Sequence, residues 1–224
     1  MKRSEINKTI KSSLEFLKQL KFNLPPFAYW TLGQWKNQTD VCQEIKDAML
    51  GWDVTDFGYG DFQRYGFSSF TLRNGVLNND RYKKPYAEKI MISAEDQVTP
   101  FHFHWYKMED IINRGGGNLL IQLYNSTPDE KFADTPVSVS IDGISKTYEA
   151  GSIVRLKPGE SISVTPKLYH KFWAEKGYGK TLLGEVSMTN DDNTDNRFYD
   201  QTSRFIEIIE DEAPLYLLCN EYPR

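Results

Sequence analysis

Hydrophobic positions near the start of the chain recur at steps of three and four. Between Ser4 and Leu20 they fall at Ile6, Ile10, Leu14, Leu17 and Leu20, which predicts an amphipathic helix with Ser4 as its N-cap. Asn23-Leu24-Pro25-Pro26 stops it, because proline has no amide hydrogen and disfavours helical geometry in the residue before it. A second helix is expected over 39–50, from Thr39 to about Leu50, on Val41, Ile45, Ala48 and Met49.

From Gly51 onward the period changes to two. Segments 67–72, 89–92, 101–106, 119–124, 136–141, 144–148, 152–156, 161–165, 169–174, 181–188, 205–209 and 215–218 read as strands. Turn signals fall between them at Asp142-Gly143, Ala150-Gly151, Lys157-Pro158-Gly159 and Lys176-Gly177. Short strands at this spacing behind a helical prelude predict a closed β sandwich or barrel, not a sheet of βαβ units. Residues 1–50 would be a helical extension and 51–224 the β core of one domain.

A formal net charge of −4 with no stripe of Lys and Arg argues against a nucleic-acid partner. The basic start Met1-Lys2-Arg3 is followed by Lys8, Lys11, Glu15 and Lys18 with no apolar stretch behind it. No segment approaches the run of about 20 apolar residues that spans a bilayer, so a cytoplasmic protein without a membrane partner is expected. Two cysteines, Cys42 and Cys219, show no metal-site spacing and read as packing residues in a reducing compartment.

The chain has three histidines, and two of them stand in Phe101-His102-Phe103-His104. On a strand both imidazoles would point to one face while the phenylalanines pack on the other. Glu109 follows closely enough to reach the same point after a turn, and His170 lies on another predicted strand. Three imidazoles and a carboxylate make a mixed nitrogen and oxygen set that suits Mn²⁺, Fe²⁺, Co²⁺, Ni²⁺ or Zn²⁺ and argues against Ca²⁺. His102, His104, Glu109 and His170 are therefore the candidate ligands of one divalent metal.

The run from His102 through Glu109 to Gly116 resembles the first motif of the cupin (jelly-roll) β-barrels. The second cupin motif is present only in part, as Pro166-Lys167-Leu168-Tyr169-His170. A longer stretch is similar to the D-lyxose isomerase family. It comprises Tyr86-Ala87-Glu88-Lys89, Thr99-Pro100 ahead of the histidines, and Lys107-Met108-Glu109-Asp110-Ile111-Ile112-Asn113-Arg114-Gly115-Gly116-Gly117-Asn118. The similarity continues in the tail motif Asn190-Asp191-Asp192-Asn193-Thr194-Asp195-Asn196-Arg197-Phe198. The resemblance implies a mainly β, homodimeric cupin ketol-isomerase with N-terminal helices packed outside the barrel. It also implies Mn²⁺, and free monosaccharide substrates that interconvert as D-lyxose with D-xylulose and D-mannose with D-fructose.

Such a reaction moves a proton between C2 and C1 through an enediol, with the metal polarising O1 and O2. Because the metal would use all three histidines, the proton carrier must be a carboxylate, lysine or tyrosine. Glu185 is the first choice, as a lone carboxylate in the otherwise apolar stretch Leu182-Leu183-Gly184-Glu185-Val186. Lys107, between the ligands His104 and Glu109, offers an ammonium group for a sugar oxygen, and Lys89 is a candidate for a similar contact. The segment 190–198 reads either as a solvated loop or as a lid. In the lid, Asp191, Asp192 or Asp195 would bind sugar hydroxyls while Arg197 anchors the loop. Phe172, Trp173, Trp105 and Tyr106 are candidate pocket walls. Two rival readings remain: an Fe²⁺ cupin oxygenase, and a metal-stabilised sugar-binding cupin without catalysis. A phosphosugar substrate would demand an Arg, Lys and Ser or Thr cluster that the sequence does not display.

Overall fold

The computed structural model describes residues 1–38 and 40–223. Helix α1 spans Arg3–Gln19, buries Ile6, Ile10 and Leu17, and begins at Lys2 instead of the expected Ser4. Ser4 lies in the first turn, where its amide and its hydroxyl both donate to the Asp211 carboxylate, at 2.9 and 2.7 Å. A distant acidic residue thus supplies the cap, which no local pattern announces.

The expected helix over 39–50 is replaced by shorter pieces, and Thr39 itself lies outside the described residues. Helix α2 (Leu32–Lys36) opens on a capping box in which Gln34 N donates to Thr31 Oγ1 and Thr31 N donates to Gln34 Oε1. A single helical turn at Asp40–Cys42 leads into α3 (Gln43–Asp47).

The β strands are β1 (Gly51–Thr55), β2 (Phe67–Arg73), β3 (Tyr86–Ser93), β4 (Thr99–Phe103), β5 (Glu109–Gly116), β6 (Leu119–Asn125), β7 (Val137–Ile141), β8 (Ile144–Tyr148), β9 (Ile153–Leu156), β10 (Ser161–Val164), β11 (Leu168–Ala174), β12 (Thr181–Met188) and β13 (Arg197–Phe198). They form two antiparallel sheets, in the orders β1-β2-β3-β12-β5-β10-β7-β8 and β13-β4-β11-β6-β9. The chain is mainly β, and the two sheets face each other in the cupin manner. Asp142 and Gly143 both take positive φ in the β7–β8 hairpin, as the sequence of that turn predicts.

Segments 205–209 and 215–218 are not strands. Residues 199–222 run as an irregular strap with isolated bridges at Lys2 with Ile209 and at Trp52 with Leu218 in place of a continuous ladder. Their apolar residues pack against α1 and the outer sheet face, so burial without ladder pairing explains the pattern there. The expected set lacks β1, β5 and the two-residue β13. β1 is buried at every position and so shows no alternation, and β5 mixes Glu109, Asp110, Asn113 and Arg114 among its apolar residues.

Two apolar layers result. One fills the space between the sheets, with Met91, Ile111 and Leu183 from the larger sheet against Ile121, Leu123 and Phe172 from the smaller. The other lies outside the larger sheet, where Ile6, Ile10 and Leu17 of α1 cover Trp52, Phe70, Ile90 and Leu182. Alternation along the strands then sends Lys89 on β3, Glu185 on β12 and Glu109 on β5 inward, toward the smaller sheet. No helix among the described residues is long and apolar enough to cross a membrane.

Candidate active site

The interior between the sheets is open at one end, in a cavity lined by His102, His104, Lys107, Glu109, His170 and Glu185, with Lys89, Asp192 and Arg204 beside them. His102 and His170 are direct cross-strand partners on β4 and β11, with ring centroids 4.1 Å apart. His104 follows at the end of β4 on the same face. The available nitrogen atoms of the three imidazoles lie within 4.8 Å of one another.

Each ring is held by a backbone carbonyl. His102 Nδ1 donates to Pro100 O at 2.8 Å, His104 Nδ1 to Asp195 O at 2.6 Å and His170 Nδ1 to Leu168 O at 3.0 Å. A carbonyl only accepts, so each Nδ1 carries the hydrogen and each Nε2 keeps its lone pair. Burial, and then the neighbouring His170 and His104, hold the His102 imidazole well below its ordinary pKa, which keeps it neutral.

Glu109 Oε1 lies 3.1 Å from His170 Nε2 and 3.6 Å from His104 Nε2. His170 Nε2 is buried without a hydrogen-bond partner. Lone pairs thus converge on one point with no hydrogen to share, a donor arrangement that fits a divalent cation of the first transition row. Burial raises the Glu109 carboxyl, but Lys107 and His104 outweigh it and hold the group well below the usual carboxylate range, ionised and ready to ligate.

Lys107 joins this set to Glu185. Its Nζ lies 2.8 Å from Glu109 Oε2 and 2.9 Å from Glu185 Oε1, and it donates to Asn190 Oδ1 at 3.0 Å. Burial works against the charge on Lys107, yet Glu109, Glu185 and Asp192 raise its pKa above the ordinary value, so it is a fixed ammonium and not a base. Lys89 is the register partner of Glu185 and lies 3.9 Å from Glu185 Oε2 and 3.5 Å from Asp192 Oδ2.

The four aspartate and arginine candidates of the tail segment part company. Asp192 reaches the cavity wall, whereas Asp191, Asp195 and Arg197 do not. Asp191 closes its own turn by accepting from Asn193 N and from the Thr194 hydroxyl. Asp195 accepts the amides of Trp105, Tyr106 and Lys107, so its carboxylate fixes the loop that carries Lys107. Arg197 pairs with Glu130 at 2.6 Å, which anchors the segment. Of the aromatic candidates, Phe172 lines the cavity together with Phe57, Phe67 and Phe198, while Trp105, Tyr106 and Trp173 lie off it.

Arg204 was not singled out from the sequence. It pairs with Asp53 and, at 3.4 Å, with Asp192, and its Nη1 is buried without a partner. A lone arginine beside Phe205, in a stretch that reads as a strand, gives no local sign of this placement.

A family model described as D-lyxose isomerase matches residues 1–222. A D-lyxose/D-mannose isomerase of Serratia proteamaculans is 51% identical over 225 residues, covering 100% of this chain and 99% of that protein. A D-lyxose/D-mannose isomerase of Escherichia coli O157:H7 is 50% identical over 223 residues, covering 99% of this chain and 98% of that protein. Among solved structures, L-ribose isomerase of Acinetobacter sp. DL28 in complex with L-ribose aligns with a TM-score of 0.58 at 15% identity, over 93% of this chain and 98% of that one. L-ribose isomerase of Cellulomonas parahominis with L-psicose aligns with a TM-score of 0.57 at 16% identity, over 90% and 94%. At these identities the likeness to the L-ribose isomerases is one of fold.

Proposed function

The chain belongs to the D-lyxose isomerase family, and from that premise we propose that it interconverts free D-lyxose with D-xylulose, and D-mannose with D-fructose, through an enediol. The observation that carries the reading is the grouping of three imidazole nitrogens within 4.8 Å of one another, with a Glu109 oxygen against His170 and His104, beside the Lys107–Glu185 ion pair.

His102, His104, Glu109 and His170 hold a divalent ion, for which Mn²⁺ is the choice, with Co²⁺, Fe²⁺, Ni²⁺ and Zn²⁺ compatible with the same donors. When bound, such an ion supplies Lewis-acid polarisation of the sugar oxygens at the reacting carbons. Glu185 removes the proton from C2 and returns it to C1, a shuttle suited to a carboxylate kept in place by Lys107, while the hydroxyl proton of O2 passes to O1, so that the aldehyde becomes an alcohol and the C2 alcohol a ketone. Lys107, whose three donors are engaged by Glu109, Glu185 and Asn190, holds both carboxylates in place, and its positive charge beside them stabilises the negative charge that develops in the transition state. Lys89, Asp192 and Arg204 orient the remaining hydroxyls, while Phe57, Phe67, Phe172 and Phe198 exclude water from the reacting end.

The charge pattern favours an unphosphorylated substrate. Among the described residues that line the cavity, Lys89, Lys107 and Arg204 are each paired with a carboxylate, so their charge is already largely balanced without a phosphate. The whole chain is read as one cupin-type unit that works in the cytoplasm, and as a homodimer, the last of these being what the family resemblance implies. The test is to incubate the purified, Mn²⁺-loaded protein with D-lyxose under anaerobic conditions. Formation of D-xylulose without oxygen supports the reading, and strict oxygen dependence or no ketose at all removes it.

A further inference from the structure

Among the described residues, four buried side-chain polar atoms have no hydrogen-bond partner: Ser69 Oγ, Thr99 Oγ1, His170 Nε2 and Arg204 Nη1. Three of the four belong to residues that line the cavity. His170 and Arg204 already have a place in the reading above; Thr99 does not.

Thr99 stands three residues before His102 on β4. In a regular strand an odd spacing sends two side chains to opposite faces, yet both residues line the cavity. The register explains this. His102 pairs with His170 while Thr99 pairs with Phe172, so three steps on β4 match two on β11. The extra residue makes a bulge, which re-aims a side chain across the sheet. Here it turns Thr99 inward, to the face that carries His102.

Thr99 is 4% exposed, and its register partner Phe172 carries no hydroxyl or charge to meet it. A hydroxyl buried against such a neighbour destabilises the free protein unless a ligand supplies a partner. It also lies beyond the metal-ligand level of the strand, since its pairing partner Phe172 is two residues past His170 on β11.

We propose that Thr99 contacts the sugar directly, its hydroxyl bonding a hydroxyl group of the open chain beyond the two reacting carbons, and that it thereby helps to select the substrate. This inference rests on the isomerase reading above. It assigns to the bulge a role in substrate recognition.

Two variants separate the hydroxyl from the shape of the side chain. Thr99→Val keeps the β-branched outline and removes only the hydroxyl, and Thr99→Ser keeps the hydroxyl. Steady-state kinetics of the metal-loaded full chain with D-lyxose are measured alongside thermal unfolding of the same proteins without sugar. The expected result is a KM about 5- to 10-fold higher in Thr99→Val, the loss of one neutral hydrogen bond, with kcat close to wild type. Without sugar its melting temperature is unchanged or higher, because no internal bond has been lost, and Thr99→Ser keeps a KM near wild type. An unchanged KM in Thr99→Val, or a clear fall in its melting temperature, overturns the inference alone. If the wild-type chain isomerises no D-lyxose, the isomerase reading fails and takes this inference with it.

Discussion

Glu109 Oε1 lies 3.1 Å from His170 Nε2, and the other nitrogen of that ring is committed to the Leu168 carbonyl. Two lone pairs therefore face each other in a buried site, an arrangement that is favourable only with a cation or a proton between them.

Removing the metal should lower stability. A ligand present at about 100 times its Kd stabilises a folded protein by roughly 2.7 kcal/mol, so chelation should lower the melting temperature and one added equivalent of Mn²⁺ should restore it. His170→Ala should abolish that response. An equal melting temperature with and without chelator would speak against a site built from these residues.

Glu185→Gln keeps the size of the side chain and removes the carboxylate proposed to carry the proton. Turnover of D-lyxose should fall by roughly 10²-fold or more, the usual scale for a general base, while metal content measured by elemental analysis stays at the wild-type level. Unchanged turnover would move the base elsewhere.

Lys107→Met leaves Glu109 and Glu185 buried without the ammonium that links them. Breaking a buried ion pair in this way costs about 3–5 kcal/mol, to be read from urea unfolding of the metal-free protein. Lys107→Arg should restore little, since a planar fork does not replace a compact charge held between Glu109, Glu185 and Asn190.

Asp192 sets a pH dependence. Burial alone would raise its carboxyl, but Lys89, Arg204 and Lys107 together hold it well below its ordinary value near 3.8. A carboxyl depressed in the folded state contributes stability above its unfolded pKa, and that contribution is lost as the pH falls through the folded value. Wild type should therefore be more stable than Asp192→Asn at pH about 7, and the difference should shrink below pH about 4. A difference that stays constant across this range would contradict the ion pairing.

Arg3 ties the two ends of the chain together. It is 1% exposed, pairs with Glu210 at 2.6 Å and also binds Glu221, and so fastens the 199–222 strap to the start of α1. Arg3→Ala should cost about 2–3 kcal/mol in chemical unfolding, less than for a fully buried pair, because Glu210 is 56% exposed. The same strap carries Arg204 to the cavity, so a rise in KM for D-lyxose should accompany the loss of stability.

The parts of the site legible in the sequence are those governed by a local period. His102 and His104 share a face because strands alternate, and Glu185 stood out as a charge among apolar neighbours. Thr99 breaks the same rule, since a bulge reverses its direction and no residue type announces that bulge. Asp191, Asp192 and Asp195 look alike in sequence, yet turn geometry sends only Asp192 to the cavity wall. Arg204 and Asp53 meet across 151 positions, a pairing that rests on how the strap packs and not on any local pattern. For the fold, alternation located most strands, but β1 is covered on both faces and shows none.

The central claim is that one divalent cation, held by His102, His104, Glu109 and His170, is needed to isomerise D-lyxose. The direct measurement is conversion of D-lyxose to D-xylulose by exhaustively chelated protein, before and after titration with Mn²⁺. The account predicts no conversion by the chelated protein and full recovery at one equivalent per chain, with no recovery in His102→Ala. Undiminished conversion by protein shown to be free of metal would contradict it.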